Sequence, residues 1–595
     1  MTVVSVWAPR ARSVALVIGG RALEMQALPG GWWQVETALA EHGVDYAFSL
    51  DGGAPLPDPR SPWQPYGVQA FSRFFDHARF VWHDEGWRQP PLGAAILYEL
   101  HVGTFTPEGS FDGVVRKLDY LKDLGVSHIE LMPVNSFSGG RGWGYDGVAL
   151  YAPQEAYGGP EGLKRLVEAC HLAGIGVILD VVYNHFGPEG SHLEAFGPYL
   201  SELHPVPWGK AVNFDGPDSD AVRAFFLGNA RMWFEDYHVD GLRLDAVHAI
   251  LDTSALHILE ELAREAALLE NTMGRQLCLI AESALNDPRL VRSPEAGGYG
   301  LDAQWSDDLH HALHTLLTGE QDGYYVDFGS LGDLAKALTS GFIYDGRYSR
   351  YRRRRHGRPF ASFPGHRLLA YSQNHDQVGN RARGERLSRI VGIGRLKIAA
   401  ALVLTSPFTP LIFQGEEWGA STPFQYFTDH QDKDLARAVR EGRRKEFAAF
   451  GWEPEDVPDP QDFATFERSR LDWGEISKTP HDELLAWHRS LIALRRSEPD
   501  LRAGARPGVS FSEEEGWLSV RRGNVLVLCN LGAAARRIPL PSGAPRYVLL
   551  ASCSSDVQLS VADATLMPET VVVLKIFNET AAGSATDRCR TPWRR

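Results

Sequence analysis

From about residue 94, continuous apolar runs alternate with amphipathic stretches along the chain. Residues 96–101, 128–133, 176–181, 241–245 and 277–282 are short runs of the strand type, several ending in polar residues. Between them, residues 111–124 place Val114, Val115, Leu118 and Leu121 on one helical face. Residues 162–173, 221–237 and 256–269 read as further helices, and 303–305, 368–371 and 410–413 as further strands. Strands that lack alternation are buried on both faces, which implies a parallel sheet. Eight such strands with helices between most of them predict a closed (β/α)8 barrel, the TIM-barrel architecture, over residues 89–498.

The flanks follow a different period. Residues 3–7, 14–18, 32–37 and 45–50 are short apolar or alternating runs separated by Gly-Gly and Pro-Gly-Gly turns. They predict an N-terminal β-sandwich over residues 1–88, of the immunoglobulin-like or carbohydrate-binding kind. Its proline-rich stretch, Pro55 to Pro65, reads as an extended linker, because proline fixes φ and removes a donor. After a helix at 483–495, strands at 517–520, 525–529, 547–550 and 570–576 predict a C-terminal β-domain over 499–577, and 578–595 reads as a polar tail. The apolar run 398–413 is interrupted by Pro407 and Pro410 and is too short to span a bilayer. A buried helix leading into a buried strand explains it.

Composition narrows the partners. With 60 Lys and Arg against 75 Asp and Glu, the formal net charge is −15, which disfavours nucleic acid and leaves neutral ligands. The cysteines Cys170, Cys278, Cys529, Cys553 and Cys589 are odd in number and widely spaced, so they read as free thiols rather than as disulfides or a zinc site. No signal peptide or membrane segment is visible, and a cytoplasmic protein is expected.

In a barrel of this kind, chemistry sits where strands end. Four predicted strands end in polar clusters: Asp180-Val-Val-Tyr-Asn184-His185, Arg243-Leu-Asp245, Glu282, and Gln373-Asn374-His375-Asp376-Gln377. One such residue is an ordinary helix cap; four in succession point to a site. Paired carboxylates serve as nucleophile and general acid/base in glycoside cleavage. Glu282 follows an apolar strand, which suits an acid that must keep its proton. Alternation puts Arg243 and Asp245 on one side of their strand, which suits an ionised nucleophile. Asp376 is a third carboxylate, placed to stabilise oxocarbenium charge or to grip sugar hydroxyls. Chain spacing leaves retention and inversion both open.

These four segments resemble the conserved regions of the α-amylase family, the retaining glycoside hydrolases of family 13, over residues 90–495. The resemblance implies that Asp245 is the nucleophile, Glu282 the acid/base and Asp376 the transition-state stabiliser. It further implies that Arg243 flanks the nucleophile, that His185 and His375 bind the sugar at subsite −1, that Tyr145 stacks on that sugar, and that Asp180 is structural. Within the family, residues 372–381, 303–308, 208–214 and 99–105 are similar to the maltooligosyltrehalose trehalohydrolases. That similarity implies hydrolysis of the α-1,4 bond beside the terminal trehalose of maltooligosyltrehalose, in trehalose biosynthesis, without a cofactor. Branching or debranching activity on glycogen-type glucan, or non-catalytic glucan binding, is the alternative.

Several residues carry two readings. Trp208 either grips the trehalose end or packs under a loop. Gln377 and Arg381 either hydrogen-bond near the substrate or form a helix-start network. Asn184 sits where calcium-binding amylases place a ligand, but a hard cation needs six or more oxygens, so hydrogen bonding and no metal are expected. Glu416 and Glu417 either line the cleft or pair with an arginine. The run Arg352–Arg355 reads as a solvated basic loop or, alternatively, as a ligand contact.

Overall fold

The computed structural model describes residues 1–577 except 207–208, 449–452, 454–455 and 543–545. Its centre is a closed barrel of eight parallel strands. We number them β1 (Leu97–Leu100), β2 (His128–Leu131), β3 (Gly176–Val181), β4 (Gly241–Leu244), β5 (Cys278–Ala281), β6 (Ala303–Trp305), β7 (Leu368–Ala370) and β8 (Thr409–Phe413). β8 closes onto β1, with Leu411 opposite Leu97 and Phe413 opposite Glu99. Glycine opens β3 and β4 for a steric reason. A Cβ on Gly176 would lie 2.4 Å from the His128 ring, and one on Gly241 would lie 2.2 Å from Cys278 Sγ.

Alternate side chains fill the barrel. Leu97, Ile178, Cys278, Ile280, Ala303, Leu369 and Leu411 form an apolar inner cluster. The opposite faces of the strands pack on the surrounding helices in the main core. The apolar run 398–413 is, as expected, a buried helix (Ile393–Leu404) followed by β8.

Three expectations change. The helix predicted over 111–124 is two, Phe111–Val115 and Leu118–Leu124. At the break Lys117 leaves helical geometry, and its ammonium sits 3.8 Å from the centre of the Trp473 ring, while Arg116 turns to Glu108. The proline-rich stretch is irregular but packed. Pro57 and Pro59 are buried, Tyr46 donates to Asp58 at 2.7 Å, and Trp63 donates to Glu155 at 2.7 Å. The stretch joins the N-terminal sheets firmly to the barrel. Third, the arginine run Arg352–Arg355 is a loop only in its first half: Arg352 and Arg353 lie in the turn, and Arg354 and Arg355 in the second strand, of a hairpin of Asp345–Ser349 with Arg354–Gly357, and Arg352 donates to the Ala284 carbonyl at 3.3 Å. Two helices (Asp307–Thr318, Leu331–Ser340) precede that hairpin between β6 and β7, and a third (Lys433–Ala448) follows β8.

The N-terminal residues form a three-stranded and a four-stranded sheet. They meet the barrel through Trp7 against Tyr199 and Phe48 against Phe196. Near the C-terminus a five-stranded and a three-stranded antiparallel sheet enclose Leu526, Leu528, Ile538, Leu566, Val572 and Leu574. No helix among the described residues is long and apolar enough to cross a membrane.

Candidate active site

Above the apolar layer the inward residues become charged. Asp180 on β3 and Arg243 on β4 are paired in register, and both are buried. Arg243 Nη1 donates to both Asp180 oxygens, at 3.0 and 2.9 Å, and to Asp245 Oδ1 at 2.6 Å. Its guanidinium lies 4.4 Å from the centre of the Trp305 ring, an aromatic face that favours a desolvated cation. Asn184 Nδ2 donates to the Asp245 carbonyl and to Oδ2, each at 2.7 Å. Burial alone would raise the Asp245 carboxyl. Arg243, Asn184 and His185 outweigh it and hold Asp245 below the ordinary carboxylate value.

Glu282, one residue beyond β5, has the opposite character. Burial, reinforced by Asp245, Asp307 and Asp376, pushes its carboxyl up to about 8 against the pull of Arg243. Arg243 Nη2 has no hydrogen-bond partner among the described residues and stands 3.9 Å from Glu282 Oε2. The Ala246 amide donates to the same Oε2 at 2.5 Å. Ala246 reaches it by adopting a left-handed backbone, with φ 39°, a conformation that costs a non-glycine residue about 1–2 kcal/mol. With Oε2 occupied by a donor, the acidic proton is left to Oε1.

Asp376 lies in a one-turn helix, His375–Gly379, after β7. It is 40 % exposed, against 13 % for Asp245 and 17 % for Glu282. Its Oδ1 accepts from Asn380 at 3.1 Å, and its Oδ2 is 3.5 Å from His375 Nε2. The other ring nitrogen of His375 is 2.5 Å from Glu99 Oε1, and the His375 amide donates to Glu99 Oε2 at 3.0 Å. Burial opposes charge on His375, but Asp376 and Glu99 raise it to about 9. The protonated ring therefore donates at both ends, to Glu99 and to the Tyr145 hydroxyl at 2.8 Å. Tyr145 in turn donates to Asp180 at 2.6 Å. His185 Nε2 lies 3.1 Å from the Tyr145 carbonyl, and burial lowers its ring towards neutrality.

Asp180, Asn184, His185, Arg243, Asp245, Glu282, His375, Asp376 and Tyr145 thus belong to one connected cluster. Gln377 starts from the same one-turn helix, and its amide donates to Asn374 Oδ1 at 2.8 Å. Its side-chain Oε1 is buried without a hydrogen-bond partner among the described residues, so it retains an acceptor to offer. Arg381 is committed elsewhere: it forms a two-pronged pair with Glu320 at 2.8 and 2.9 Å. Trp208 lies outside the described residues. Glu416 accepts from the Ser372 hydroxyl and, at 3.2 Å, from the Phe413 amide. Glu417 accepts from Tyr98 at 2.9 Å and Tyr120 at 2.7 Å. These two glutamates are structural acceptors. Among the described residues no three His, Cys, Asp or Glu side chains are grouped to hold a metal.

Glu99, Trp305 and Asp307 also build the site. All three lie at barrel-strand ends, the same signal that marked Asp180 and Glu282. Their partners, however, come from strands distant in the chain.

Residues 72–197 match the family model of the α-amylase catalytic domain. The malto-oligosyltrehalose trehalohydrolase of Arthrobacter ramosus is 53 % identical over 547 residues, covering 91 % of this chain and 94 % of that protein. The enzyme of the same name from a Rhizobium species is 50 % identical over 581 residues, 96 % of this chain and 97 % of its own. A crystal structure described as a putative α-amylase from Salmonella typhimurium superposes with a TM-score of 0.88 at 38 % identity, covering 96 % of this chain and 97 % of that one. With half of its residues or more shared over nine-tenths of its length, this chain belongs to the malto-oligosyltrehalose trehalohydrolases of the α-amylase family.

Proposed function

We propose that the protein hydrolyses the α-1,4 bond beside the terminal trehalose of maltooligosyltrehalose, releasing trehalose and a shortened maltooligosaccharide, with retention of configuration. The observation that carries this reading is the division of labour between two neighbouring carboxyls: Asp245 is held ionised by Arg243 and Asn184, while Glu282 is held protonated. Asp245 attacks the anomeric carbon as Glu282 passes its proton to the departing glycosidic oxygen. The C–O bond breaks, trehalose leaves, and a glycosyl ester remains on Asp245. Glu282, now a base, takes a proton from water; the hydroxyl attacks the anomeric carbon and the ester bond to Asp245 breaks. Asp376 faces the positive charge that develops between these states.

Room for a leaving group adjoins Glu282. A cavity of about 340 Å³ lies over the loops after β4 and β5, lined by Val247, His248, Asp252, Ser283, Leu285 and Tyr299 among others. That is within the ~300–1,000 Å³ of small-ligand pockets. The two glucoses of trehalose present their hydroxyls differently from those of maltose, and each buried polar group left unpaired by the wrong sugar costs about 1–3 kcal/mol. Two or three such groups give on the order of 10²–10⁴-fold discrimination in kcat/KM. The test is product analysis on maltooligosyltrehalose, maltooligosaccharide of equal length and amylopectin, with NMR of the first-formed anomer. Trehalose should appear early, with the new reducing end in the α form. Equal kcat/KM on the first two substrates defeats the trehalose reading, and transfer or debranching of amylopectin replaces it.

A further inference from the structure

Asp376 is the most exposed of the three carboxyls. Among the described residues its side-chain hydrogen bond comes from Asn380, and Asn380 is itself exposed. A primary amide at the surface presents either its NH2 or its oxygen to a neighbour. Only one of these orientations suits a carboxylate. What selects it lies behind the one-turn helix. Arg443, from the helix Lys433–Ala448 inserted after β8, donates from Nη2 to the Gly379 carbonyl at 2.7 Å and from Nη1 to Asn380 Oδ1 at 3.4 Å. A cation facing the amide oxygen leaves the NH2 turned towards Asp376. The Gly379 carbonyl is one of those that a helix leaves unpaired at its C-terminal end, where a cation is also favoured.

Arg443 is itself well fixed. It pairs with Glu446 at 3.2 Å and packs over the rings of Tyr426 and Phe447, 5.0 and 4.8 Å from their centres. Its side chain is 13 % exposed. The helix that carries it is polar along most of its length and lies outside the barrel, yet it delivers this one cation to the back of the Asp376 turn.

We propose that Arg443 is a positioning residue for catalysis: through Asn380 and the Gly379 carbonyl it fixes the orientation of the Asp376 carboxylate. The proposal rests on the placement of Asp376 at the reacting sugar and not on the identity of the leaving group. α-Maltosyl fluoride is therefore the probe, because its fluoride departs without an acid and without a sugar in the leaving-group pocket.

The variants are Arg443→Ala, Arg443→Lys, Asn380→Ala and the Arg443→Ala/Asn380→Ala pair. A misplaced catalytic group costs up to about 10²-fold in rate. Arg443→Ala should lower kcat about 10- to 100-fold on α-maltosyl fluoride, with KM changed by less than about 3-fold. Lysine, which keeps the charge and the bond to Gly379, should restore most of the loss, and so should millimolar guanidinium added to the alanine variant. The double variant should be no slower than the slower single one, since both act on one carboxylate. Wild-type kcat in Arg443→Ala overturns the proposal; so do losses that multiply in the double variant, or losses that neither lysine nor guanidinium repairs. A wild-type protein that consumes α-maltosyl fluoride but not maltooligosyltrehalose refutes the trehalose reading instead, and the Arg443 comparison is then read on the fluoride alone.

Discussion

Replacing Glu282 by Gln tests whether one proton, held against its ordinary chemistry, accounts for activity at neutral pH. An ordinary glutamate, at 4.5, is about 0.3 % protonated at pH 7; at about 8, Glu282 is about 90 % protonated. The site thus raises the working acid form about 300-fold. Holding the proton at about 8 in place of 4.5 corresponds to about 5 kcal/mol. Burial contributes most of it, and the charges of Asp245, Asp307 and Asp376 add to it. Two results should follow on maltooligosyltrehalose. In the unaltered protein kcat/KM should fall tenfold per pH unit above about 8. In Glu282→Gln that limb should vanish, and the rate at pH 7 should drop by about 10²–10⁴, the usual worth of general acid–base catalysis. On α-maltosyl fluoride the same variant should release one fluoride per enzyme in a burst and then stall. The bond to fluoride needs no acid, but the glycosyl ester on Asp245 needs the missing base. Mass spectrometry of the stalled protein should show the added maltosyl group. A kcat/KM that declines from pH 5, as for an ordinary carboxyl, refutes the reasoning, and so does a variant with full activity on the natural glycoside.

Asp245→Asn should retain KM within a few-fold while kcat falls at least about 10³-fold, measured by trehalose release, because the attacking charge is gone and the shape is kept. Burial is the main cause that raises Glu416 to about 8 in the folded protein, above its ordinary value, so its contribution to stability is full below pH 4.5 and is lost as pH rises through 8. Glu416→Gln should therefore flatten the fall in unfolding free energy between pH 4.5 and pH 8, by an amount on the order of a few kcal/mol in urea titrations; an unchanged slope counts against it. Gly379→Ala would set a Cβ 2.1 Å from the Trp143 ring, which stacks on Phe424 and meets His375 edge-on. Overpacking of about 1–3 kcal/mol and a lower kcat are expected, by thermal melting and steady-state assay.

Periodicity and strand ends made much of this site legible. Asp180, Arg243, Asp245 and Glu282 each follow an apolar run, and barrel geometry makes such positions converge. Alternation correctly puts Arg243 beside Asp245, since two residues along a strand return to the same face. What stayed hidden depends on the third dimension. Nothing local to Glu99 shows that it will hold His375, because β1 and β7 come into range only through closure of the barrel. Arg443 lies in a polar helix whose sequence reads as surface. For Arg381 the sequence leaves substrate contact and a local network both open, and the structure pairs it with Glu320, just beyond the helix Asp307–Thr318. At the break, Lys117 meets Trp473, far along the chain.

The seam where β8 meets β1 bears on how the enzyme is made. Glu99 and His375 are 276 residues apart, and Tyr98 and Glu417 are 319 apart. At about 5–20 residues per second, a ribosome needs roughly 15–55 s to travel from the first of these pairs to its partner. Throughout that interval β1 has an unpaired edge, and parallel strands that must wait for distant partners fold slowly and are exposed to aggregation. The newborn chain therefore carries an open strand edge for most of its synthesis. Release upstream of β8 leaves the barrel open at β1, so the site can close only once the last of the eight barrel strands has been made.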